Sequence, residues 1–400
     1  MKVLYIQSGD DKYGSPKSLM ELVLSLKNRY DVEPIVLTQK EGKTNELCNQ
    51  NNIKSYVIDF PAFLIVGGSN IYRKIIKHVL YPYYWLKYRI KLSKAKKKIL
   101  SLLENEKIDI VHTNINRIDI GNYYCSMKKI PHIMHIREFS KEDYNCMTLN
   151  PSYIDYLNKT TDKFVAISNA VKQNWTKKGL ENNKIKTIYN GIDLSKYKTI
   201  PLRINENNDK IKIVFVGIVS ETKGQIFLIK AIETLPDSIK NNIVVDFYGG
   251  GRKEYIKKLQ RYVQKKGLSN IISFKGYCSD IPNILTDYDI GVVASRAEAF
   301  GRVTVEYMKA GLCVIASDTG ANTEIVNDNE NGLIFKYGDF NMLGNKIEYL
   351  IENKDTLRQI RETAYSLVDN KYSIDLCADN IFKLYKEEME EFYDRNRNTI

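Results

Sequence analysis

The sequence predicts an α/β protein built from two domains. Short apolar segments alternate with segments of helical periodicity, first up to residue 200 and again beyond it. A chain of 400 residues is too long for one ordinary hydrophobic core and suits two. A polar stretch rich in turn-forming residues, 201–209, separates the two series and is typical of a linker. We therefore predict domains over residues 1–200 and 201–371, with a cleft between them, and a C-terminal helical segment over 372–400.

The first domain should begin with a buried strand and continue with alternating helices and strands. Its apolar segments predict strands at Val3–Ile6, Glu33–Thr38, Lys54–Ile58, Ile110–His112, His132–Ile136 and Lys163–Ile167. Its helical patterns include Pro16–Lys27 and Tyr84–Glu104. This order is typical of an open α/β sheet, in which ligands bind beyond the carboxyl ends of the strands.

The second domain repeats the alternation. Strands are predicted at Lys212–Gly217, Val244–Tyr248, Ile271–Lys275, Asp289–Ala294 and Cys313–Ala316. After them, the pattern over Tyr372–Arg395 predicts a long, charged, amphipathic helix.

The net charge of +12 is concentrated in one segment of the first domain. Residues 61–100 contain ten Lys or Arg and no Asp or Glu, mixed with Tyr, Trp and Leu. This mixture fits an interfacial segment that rests on an anionic membrane surface. The alternative is an ordinary surface helix that packs its apolar face on the domain and solvates its lysines. No nucleic-acid recognition motif accompanies the charge, so a nucleic-acid partner is not predicted.

The composition also indicates a compartment. No apolar run of about 18 residues free of charges is present, so no transmembrane helix is predicted. The N-terminal segment, residues 1–8, lacks the features of a secretory signal. The six cysteines are scattered without a Cys-x-x-Cys pair, which fits reduced thiols in the cytosol. We expect a cytoplasmic protein that is peripheral at the inner face of the cell membrane.

The most informative stretch is 295–306, where two glutamates lie eight residues apart around a Phe-Gly pair. Glu298 should lie on a loop that leaves a strand, and Glu306 should lie inside the following helix. Free backbone N–H groups at such a helix start favour an anion, usually a phosphate. Two carboxylates beside a phosphate site can accept hydrogen bonds from sugar hydroxyls. The combination predicts a nucleotide sugar as ligand.

The string Ser-Arg-x-Glu-x-Phe-Gly-x-x-x-x-Glu-x-Met resembles the Glu-any-seven-Glu signature of retaining glycosyltransferases of the GT-B fold, family 4 type. The resemblance extends along most of the chain. It implies two Rossmann-like domains that face a cleft, an N-terminal one for the acceptor and a C-terminal one for the nucleotide sugar. It also implies a last helix that crosses back to the N-terminal domain. The implied reaction transfers a sugar from a nucleotide diphosphate, uridine favoured over guanosine, to a glycan or lipid-linked acceptor, in bacterial surface polysaccharide synthesis.

The resemblance assigns roles to several residues of the second domain. It implies that Glu306 accepts from the ribose hydroxyls and Glu298 from hydroxyls of the donor sugar. The N–H groups of Phe300 and Gly301 are expected to face the sugar or the phosphate. Lys223 lies in the turn after the first strand of this domain, where a point charge can reach the diphosphate.

That turn opens with Gly217 and departs from the family pattern at the next residue. The family usually has an arginine there, and this chain has Ile218. Arg296 or Arg302 is expected to supply the missing positive charge.

Two further turns of the second domain are expected to contact the nucleotide. Gly250 belongs to a run of three glycines that would let the backbone approach the ligand closely, with a plain tight turn as the alternative. Tyr277 follows another strand and is expected at the nucleobase, with a core or rim tyrosine as the alternative.

In the first domain, His135 ends a strand and is expected to hydrogen-bond a sugar hydroxyl or the acceptor. Arg137 is placed to reach a phosphate, and Glu138 to orient either residue. Gly14 belongs to a glycine-rich turn over 8–15, which resembles the family's turn at the diphosphate or acceptor. The turn matches neither a Walker loop nor Gly-x-Gly-x-x-Gly.

The predicted catalytic residues are His135, Lys223 and Glu298, and no metal or other cofactor is expected. The Asp-x-Asp sequence at 287–289 opens a buried strand, where capping is its expected role, and the four histidines are not paired at zinc-ligand spacing. The first rival is a sugar-nucleotide epimerase of the same fold. The second is a non-catalytic membrane or glycan-binding subunit, which Ile218 and the single Gly14 leave open. An NAD-dependent oxidoreductase is a distant third, since its phosphate fingerprint is missing.

Overall fold

The fold was determined as a computed structural model of the chain. It describes residues 1–8, 14–65, 76, 79–140, 146–197 and 210–397, with residue 396 described by its backbone only. The predicted linker over 201–209 and the centre of the predicted glycine-rich turn, 9–13, lie outside the described residues. So does part of the basic segment, at 66–75 and 77–78.

The described chain forms two α/β units. The first comprises Met1–Gly191 and Ile374–Ile400, and the second comprises Ile192–Ser373. Each unit is built on a parallel sheet. The predicted fold class, two α/β domains with a last helix that returns to the first, is confirmed.

Short, mostly buried segments form the strands, as the apolar runs predict. In chain order the described strands are β1 (Lys2–Gln7), β2 (Glu33–Thr38), β3 (Lys54–Val57), β4 (Leu64–Ile65), β5 (Ile110–Thr113), β6 (His132–Ile136), β7 (Met147–Thr148), β8 (Lys163–Ala166), β9 (Ile185–Thr187), β10 (Ile211–Val216), β11 (Ile243–Tyr248), β12 (Ile272–Gly276), β13 (Ile290–Val293), β14 (Cys313–Ser317) and β15 (Leu333–Phe335). The first sheet has the order β3-β2-β1-β5-β6-β8-β9, and the second has the order β12-β11-β10-β13-β14-β15. A small antiparallel pair joins β4 to β7.

Helices connect the strands. The described α-helices are α1 (Gly14–Arg29), α2 (Lys43–Gln50), α3 (Tyr81–Leu102), α4 (Ile120–Lys128), α5 (Tyr153–Thr160), α6 (Asn169–Lys177), α7 (Gln225–Thr234), α8 (Asp237–Lys240), α9 (Lys253–Lys265), α10 (Ile281–Leu285), α11 (Arg302–Lys309), α12 (Asn322–Ile325), α13 (Phe340–Glu352), α14 (Lys354–Tyr372) and α15 (Ile374–Arg397). None of the helices in the described ranges is both long and apolar enough to cross a bilayer.

Helix α15 is an integral part of the first unit. Its buried Tyr385 belongs to the same hydrophobic core as residues of β1 and α1. Phe382 stacks on Tyr30 with 3.9 Å between ring centroids. Gly191 is closely packed against this helix, since a Cβ there would lie 2.7 Å from the Cβ of Cys377. The helix therefore completes the core of a unit that is otherwise formed by the first half of the chain.

Two features of the fold differ from the sequence prediction. The C-terminal pattern predicts one helix from Tyr372, but the chain breaks at Ser373, which is extended and bridges Ile192. The three-residue edge strands β9 and β15 are not predicted, because so few residues carry no readable periodicity.

Candidate active site

Two predicted site residues of the second unit, Lys223 and Glu298, are in direct contact. The Nζ atom of Lys223 lies 2.8 Å from Oε2 of Glu298, and the side chains are 35% and 16% exposed. The two residues come from the loops that follow β10 and β13, which are neighbours in the sheet. Because parallel strands end at the same edge, the two loops meet there.

A close backbone approach fixes these loops against each other. The N–H of Arg296 donates to the carbonyl of Thr222 at 2.8 Å. Gly224 has φ of +76°, and a Cβ on it would lie 2.1 Å from the carbonyl oxygen of Ala294. Only glycine satisfies both conditions, so the position of the Lys223 turn depends on this residue.

The second glutamate lies on α11 and has its own cation. Glu306 is 6% exposed, and its Oε1 accepts a hydrogen bond from Nε of Arg302 at 2.9 Å. Gly301 caps the helix with φ of +86°. The arrangement places a glycine turn, an arginine and the free N–H groups of a helix start together, which suits an anion.

The side chain of Tyr307 positions this helix on the sheet. Its ring is fully buried, and a Cβ on Gly291 of β13 would lie 2.3 Å from it. Its hydroxyl accepts a hydrogen bond from the N–H of Val216, the last residue of β10, at 2.6 Å. Helix α11 is therefore fixed at the end of the two strands whose loops carry Lys223 and Glu298.

The chain after β14 braces the Glu298 loop from its other side. The carbonyl of Glu298 accepts from the N–H of Ala321 at 2.8 Å. Gly320 has φ of +57°, and a Cβ there would lie 2.1 Å from the same carbonyl oxygen. The carbonyl of Ser295 accepts from the hydroxyl of Thr319 at 2.7 Å. The Glu298 backbone is thus held before any ligand binds, which is the preorganisation that a binding site requires.

The ring of Phe300 packs within the second unit. The ring is buried and contacts Tyr372 edge-on, with 5.9 Å between centroids. The ring is therefore not available to a ligand, and the predicted contact through the N–H groups of Phe300 and Gly301 stays a prediction.

The run of three glycines after β11 has a structural reason. A Cβ on Gly249 would lie 1.9 Å from the carbonyl oxygen of Gly217, and a Cβ on Gly251 would lie 2.3 Å from that of Val219. The N–H of Gly217 donates to the carbonyl of Tyr248 at 2.9 Å. Two of the three glycines therefore serve the close pairing of two turns. A Cβ on Gly250 would meet nothing within 4 Å, so this position stays the predicted contact.

Tyr277 follows β12 and is 81% exposed. This exposure excludes a core tyrosine and leaves the ring free to stack. Ile218, which stands where the family usually has arginine, is 48% exposed. Arg296, one of its predicted substitutes, is also exposed.

In the first unit, His135 is the last residue but one of β6 and is almost fully buried, with 1% exposure. Its Nδ1 lies 2.6 Å from Nε2 of His112, a residue of the neighbouring strand β5. Burial lowers the pKa of both imidazoles, and the positive charge of Arg137 lowers them further. Both rings are therefore neutral at pH 7.

Arg137 binds within the first unit instead of standing free. Its Nε donates to the side-chain oxygen of Asn114 at 2.8 Å, and its Nη1 donates to that of Asn190 at 2.8 Å. The carboxylate of Glu138 lies 2.9 Å from Nε of Arg117. Arg137 is rigidly held, and its Nη2 points towards Nδ1 of His135 at 3.5 Å.

The other predicted positions include Gly14 and the Asp-x-Asp sequence at 287–289. Gly14 is the exposed first residue of α1, and a Cβ there would meet nothing within 4 Å. Asp289 receives a hydrogen bond from the N–H of Lys212 and pairs with Arg361 at 3.3 Å. Among the side chains that the structure describes, no group of three or more His, Cys, Asp or Glu is arranged to hold a metal ion.

Sequence reasoning did not identify His112 or Tyr385, which join His135 in one buried hydrogen-bonded chain. A usable signal existed for His112, since it lies on a predicted strand next to the strand of His135. No signal existed for Tyr385, which is 273 positions away from its partner His112.

Family models match almost the whole chain in two adjoining parts. The model described as Glycosyltransferase Family 4 matches residues 14–196, and the model described as Glycosyl transferases group 1 matches residues 197–367. The boundary between them lies close to the boundary between the two units.

Individual proteins give the same result. The chain is 23% identical to the capsular polysaccharide biosynthesis glycosyltransferase CapH of Staphylococcus aureus, over 81% of this chain and 83% of CapH. It is 26% identical to the UDP-Gal:alpha-D-GlcNAc-diphosphoundecaprenol alpha-1,3-galactosyltransferase of Escherichia coli, over 74% and 80%.

The fold has solved counterparts as well. The crystal structure of Anabaena Alr3699/HepE in complex with UDP aligns with a TM-score of 0.80 at 22% identity, over 97% of this chain and all of that one. Together with the two family matches, these relatives confirm the resemblance and the transferase class. The chain belongs to the family 4 glycosyltransferases of the GT-B fold.

Proposed function

We propose that this glycosyltransferase transfers a sugar from a UDP-sugar, with retention of configuration, to a lipid-linked glycan acceptor in bacterial surface polysaccharide synthesis. The main support for this proposal is the presence of two ion pairs at one edge of the second sheet. Lys223 pairs with Glu298, and Arg302 pairs with Glu306. The site holds two cations for a diphosphate and two carboxylates for sugar hydroxyls.

The ion pairs suit an exchange on donor binding. Each carboxylate holds a cation at 2.8 or 2.9 Å, which pairs these charges in a partly buried place. A diphosphate competes for Lys223 and Arg302, and the carboxylate oxygens then accept from hydroxyls of the ribose and the sugar. The contacts to the diphosphate and to the hydroxyls both require side chains that are held close together before the donor binds. The braced loops hold them in this way.

The chemistry is electrostatic. Negative charge develops on the leaving diphosphate, and Lys223, Arg302, Arg296 and the N–H groups at the start of α11 stabilise it. In the proposed reaction the acceptor attacks from the face that the diphosphate leaves, and a phosphate oxygen takes the acceptor's proton. Neither a nucleophilic carboxylate nor a metal ion is required in this scheme. His135 hydrogen-bonds the sugar or the acceptor.

Uridine is the preferred base in this proposal. The Escherichia coli relative is named for UDP-Gal, and the Anabaena structure contains UDP. The lipid-linked acceptor rests on the same Escherichia coli relative, whose name specifies a diphosphoundecaprenol glycan. Surface polysaccharide synthesis rests on the relative CapH, which is named for capsule synthesis.

Helix α3 supports a membrane-facing role for the first unit. Its inner face is buried through Tyr88, Leu92, Ala95 and Ile99. Its exposed large side chains include Tyr83, Trp85, Leu86 and Ile90, and its exposed cations include Lys87, Arg89, Lys94, Lys97 and Lys98. A helix that buries one face and exposes apolar and basic groups elsewhere suits an anionic lipid surface, where the acceptor would be anchored.

Calorimetric titration with UDP and with GDP tests the donor site. We expect UDP to bind wild type, and Glu306→Ala to weaken it about tenfold or more, as for a lost hydrogen bond to a charged group. Glu352→Ala is the matched control, since Glu352 is an exposed glutamate at the end of α13. Tighter binding of GDP than of UDP would overturn the choice of base. Absence of binding by folded protein would overturn the donor site.

Product analysis tests the reaction. With a UDP-sugar panel and a diphosphoundecaprenol-linked acceptor, proton NMR of the product gives the anomeric configuration, and we expect that of the donor. Inversion would contradict the proposed stereochemistry. Conversion of the donor sugar in the absence of acceptor would instead identify the epimerase alternative.

A further inference from the structure

Four buried side chains of the first unit form a continuous hydrogen-bonded chain that ends at His135. The hydroxyl oxygens of Tyr5 and Tyr385 lie 3.4 Å apart. The Tyr385 hydroxyl lies 2.5 Å from Nδ1 of His112, and Nε2 of His112 lies 2.6 Å from Nδ1 of His135. We call Tyr385, His112 and His135 the Tyr-His relay, and Tyr5 borders it through the longer contact. All four are almost completely removed from solvent, so no water competes for their hydrogen bonds.

The direction of donation along the relay is set at both ends. Arg137 can only donate, and its Nη2 lies 3.5 Å from Nδ1 of His135. That nitrogen therefore carries a lone pair and accepts the hydrogen bond from His112. At the other end a phenol O–H is a more acidic donor than an imidazole N–H, so Tyr385 donates to Nδ1 of His112.

These two constraints agree, and they leave one arrangement of protons. The Tyr385 hydroxyl lies much closer to Nδ1 of His112, at 2.5 Å, than to the Tyr5 hydroxyl, at 3.4 Å, so its single proton goes to His112. Nε2–H of His112 then donates to Nδ1 of His135. The proton of His135 must then be on Nε2. Within the part of the chain that the structure describes, this Nε2 has no hydrogen-bond partner.

We propose that the Tyr-His relay fixes His135 as a neutral imidazole that offers Nε2–H as a hydrogen-bond donor to an oxygen of the transferred sugar or of the acceptor. His112 and Tyr385 are positioning residues that act through His135. This inference rests on the proposed function, since it gives the partner of Nε2–H as an oxygen of a bound ligand.

The neutral state follows from burial and charge. Desolvation lowers the pKa of His135, and both Arg137 and His112 lower it further, so an imidazolium is not formed at pH 7. A neutral ring with its proton on Nε2 cannot act as a base at that nitrogen. The reaction proposed above needs no such base, because the leaving phosphate oxygen takes the acceptor's proton.

The relay also gives α15 a role beyond packing. Tyr385 lies on this helix, which joins the first unit from the far end of the sequence. Its hydroxyl is the only donor that the described structure brings to Nδ1 of His112. The tautomer of a site residue on β6 thus depends on a helix that acts through His112.

NMR of histidine-15N-labelled protein tests the proton assignment directly. The chain has only four histidines, at 78, 112, 132 and 135, so single substitutions assign each ring. Two-bond and three-bond proton–nitrogen correlations distinguish the two neutral tautomers and the imidazolium. At pH 7 we expect His112 and His135 both neutral with the proton on Nε2. A proton on Nδ1 of His135, or an imidazolium, overturns the proposal without the need for any variant.

A matched pair of Tyr→Phe variants tests the positioning role. Tyr385→Phe removes the donor to His112, while Tyr5→Phe removes an equally buried hydroxyl one step further away. We expect Tyr385→Phe to give a mixture of tautomers at His112 and His135 and to lower kcat/KM about tenfold. Tyr5→Phe should leave both tautomers and the activity nearly unchanged. Equal effects of the two variants would indicate a packing role only and overturn the relay.

A double variant and a binding control complete the test. Tyr385→Phe should add nothing to the loss caused by His135→Ala, because both act through the same Nε2–H. UDP binding should not change in Tyr385→Phe, since Lys223, Glu298 and Glu306 lie in the second unit. If no sugar is transferred by any variant, the proposed function has failed, while the histidine spectra still decide the relay.

Discussion

The candidate sites of the two units are built in opposite ways. In the second unit, charged side chains form two ion pairs that a ligand can exchange, one partly exposed between braced loops and one largely buried on α11. In the first unit, buried neutral side chains on adjacent strands form a hydrogen-bonded chain that ends at His135. Changes to the partly exposed pair of Lys223 and Glu298 should therefore alter activity with little effect on stability. Changes to the buried site should alter both, because a buried polar group left without a partner is costly.

The largest effect is expected at Lys223. Lys223→Ala should lower kcat/KM about 100-fold to 1000-fold, the range for loss of one donor to developing charge. The free energy of unfolding should change by less than about 1 kcal/mol, since the pair is partly exposed. Lys266→Ala is the matched control, because Lys266 pairs with Glu233 at 2.5 Å in the same unit with similar exposure. Steady-state kinetics and urea unfolding of both variants make the comparison. Equal losses of activity would remove the special role of Lys223.

Membrane binding should also distinguish the two units, because we expect it to depend on lysines of the first unit and not on those of the second. The triple change of Lys94, Lys97 and Lys98 to Gln on α3 should weaken binding to phosphatidylglycerol vesicles about 100-fold, at about 1 kcal/mol per lysine. The same change at Lys253, Lys257 and Lys258 on α9 is the control, since these three lysines are also exposed on one helix. Vesicle sedimentation at low and high salt measures both. An equal loss in the two variants would show that overall charge, rather than α3, binds the lipid.

Substitution of Gly224 tests whether the close packing of the Lys223 turn on the loop after β13 stabilises the charged site. Gly224→Ala should destabilise the second unit by about 2–3 kcal/mol, because it adds a clash with the carbonyl of Ala294 to a positive φ. Gly267→Ala is matched in φ, at +71°, but its Cβ would meet nothing within 4 Å, so it should cost about 1–2 kcal/mol. Thermal unfolding of the two variants gives the difference. A smaller effect at Gly224 than at Gly267 would mean that the two loops separate easily.

The difference between the charged site of the second unit and the buried site of the first also explains what the sequence could predict. The sequence can single out Glu298, Glu306 and Lys223 as candidates because each lies in a short local pattern, a spacing of eight residues or a turn after a strand. The fold class was predictable for the same reason, since strands and helices carry local periodicity. The ion pair between Lys223 and Glu298 was not, because it joins two loops 75 positions apart.

Features that depend on contacts between distant parts of the chain could not be predicted from local sequence patterns. The partner of His112 is on a helix 273 positions away, and no local pattern marks it. The break at Ser373 follows from pairing with Ile192, so the helical pattern over Tyr372–Arg395 could not show it. The glycine run at 249–251 was interpreted as an approach to a ligand, whereas two of its members permit an approach to another turn. The ligand roles assigned to Gly14, Gly250 and Tyr277 stay predictions, as do those of the other site residues.

The smallest effect, and the one confined to the first unit, is a dependence of stability on pH. Burial lowers the pKa of His132 from its ordinary 6.5 to about 4. Between these values the unfolded chain binds more protons than the folded one, so stability is lost as pH falls through this window. At pH 5 the loss from this one group is about 2 kcal/mol relative to pH 7, at about 1.4 kcal/mol per pH unit.

Both tryptophans, Trp85 and Trp175, lie in the first unit, so urea unfolding followed by their fluorescence reports on that unit alone. His132→Asn removes the titrating ring and should reduce the decline between pH 7 and pH 5 by about 2 kcal/mol. All four histidines precede residue 192, so no histidine of the second unit contributes to this difference. A decline that is identical in wild type and variant would mean that His132 is protonated as readily in the folded protein as in the unfolded chain. Burial would then not keep His132 neutral, and the first unit would lose this difference from the charged site of the second.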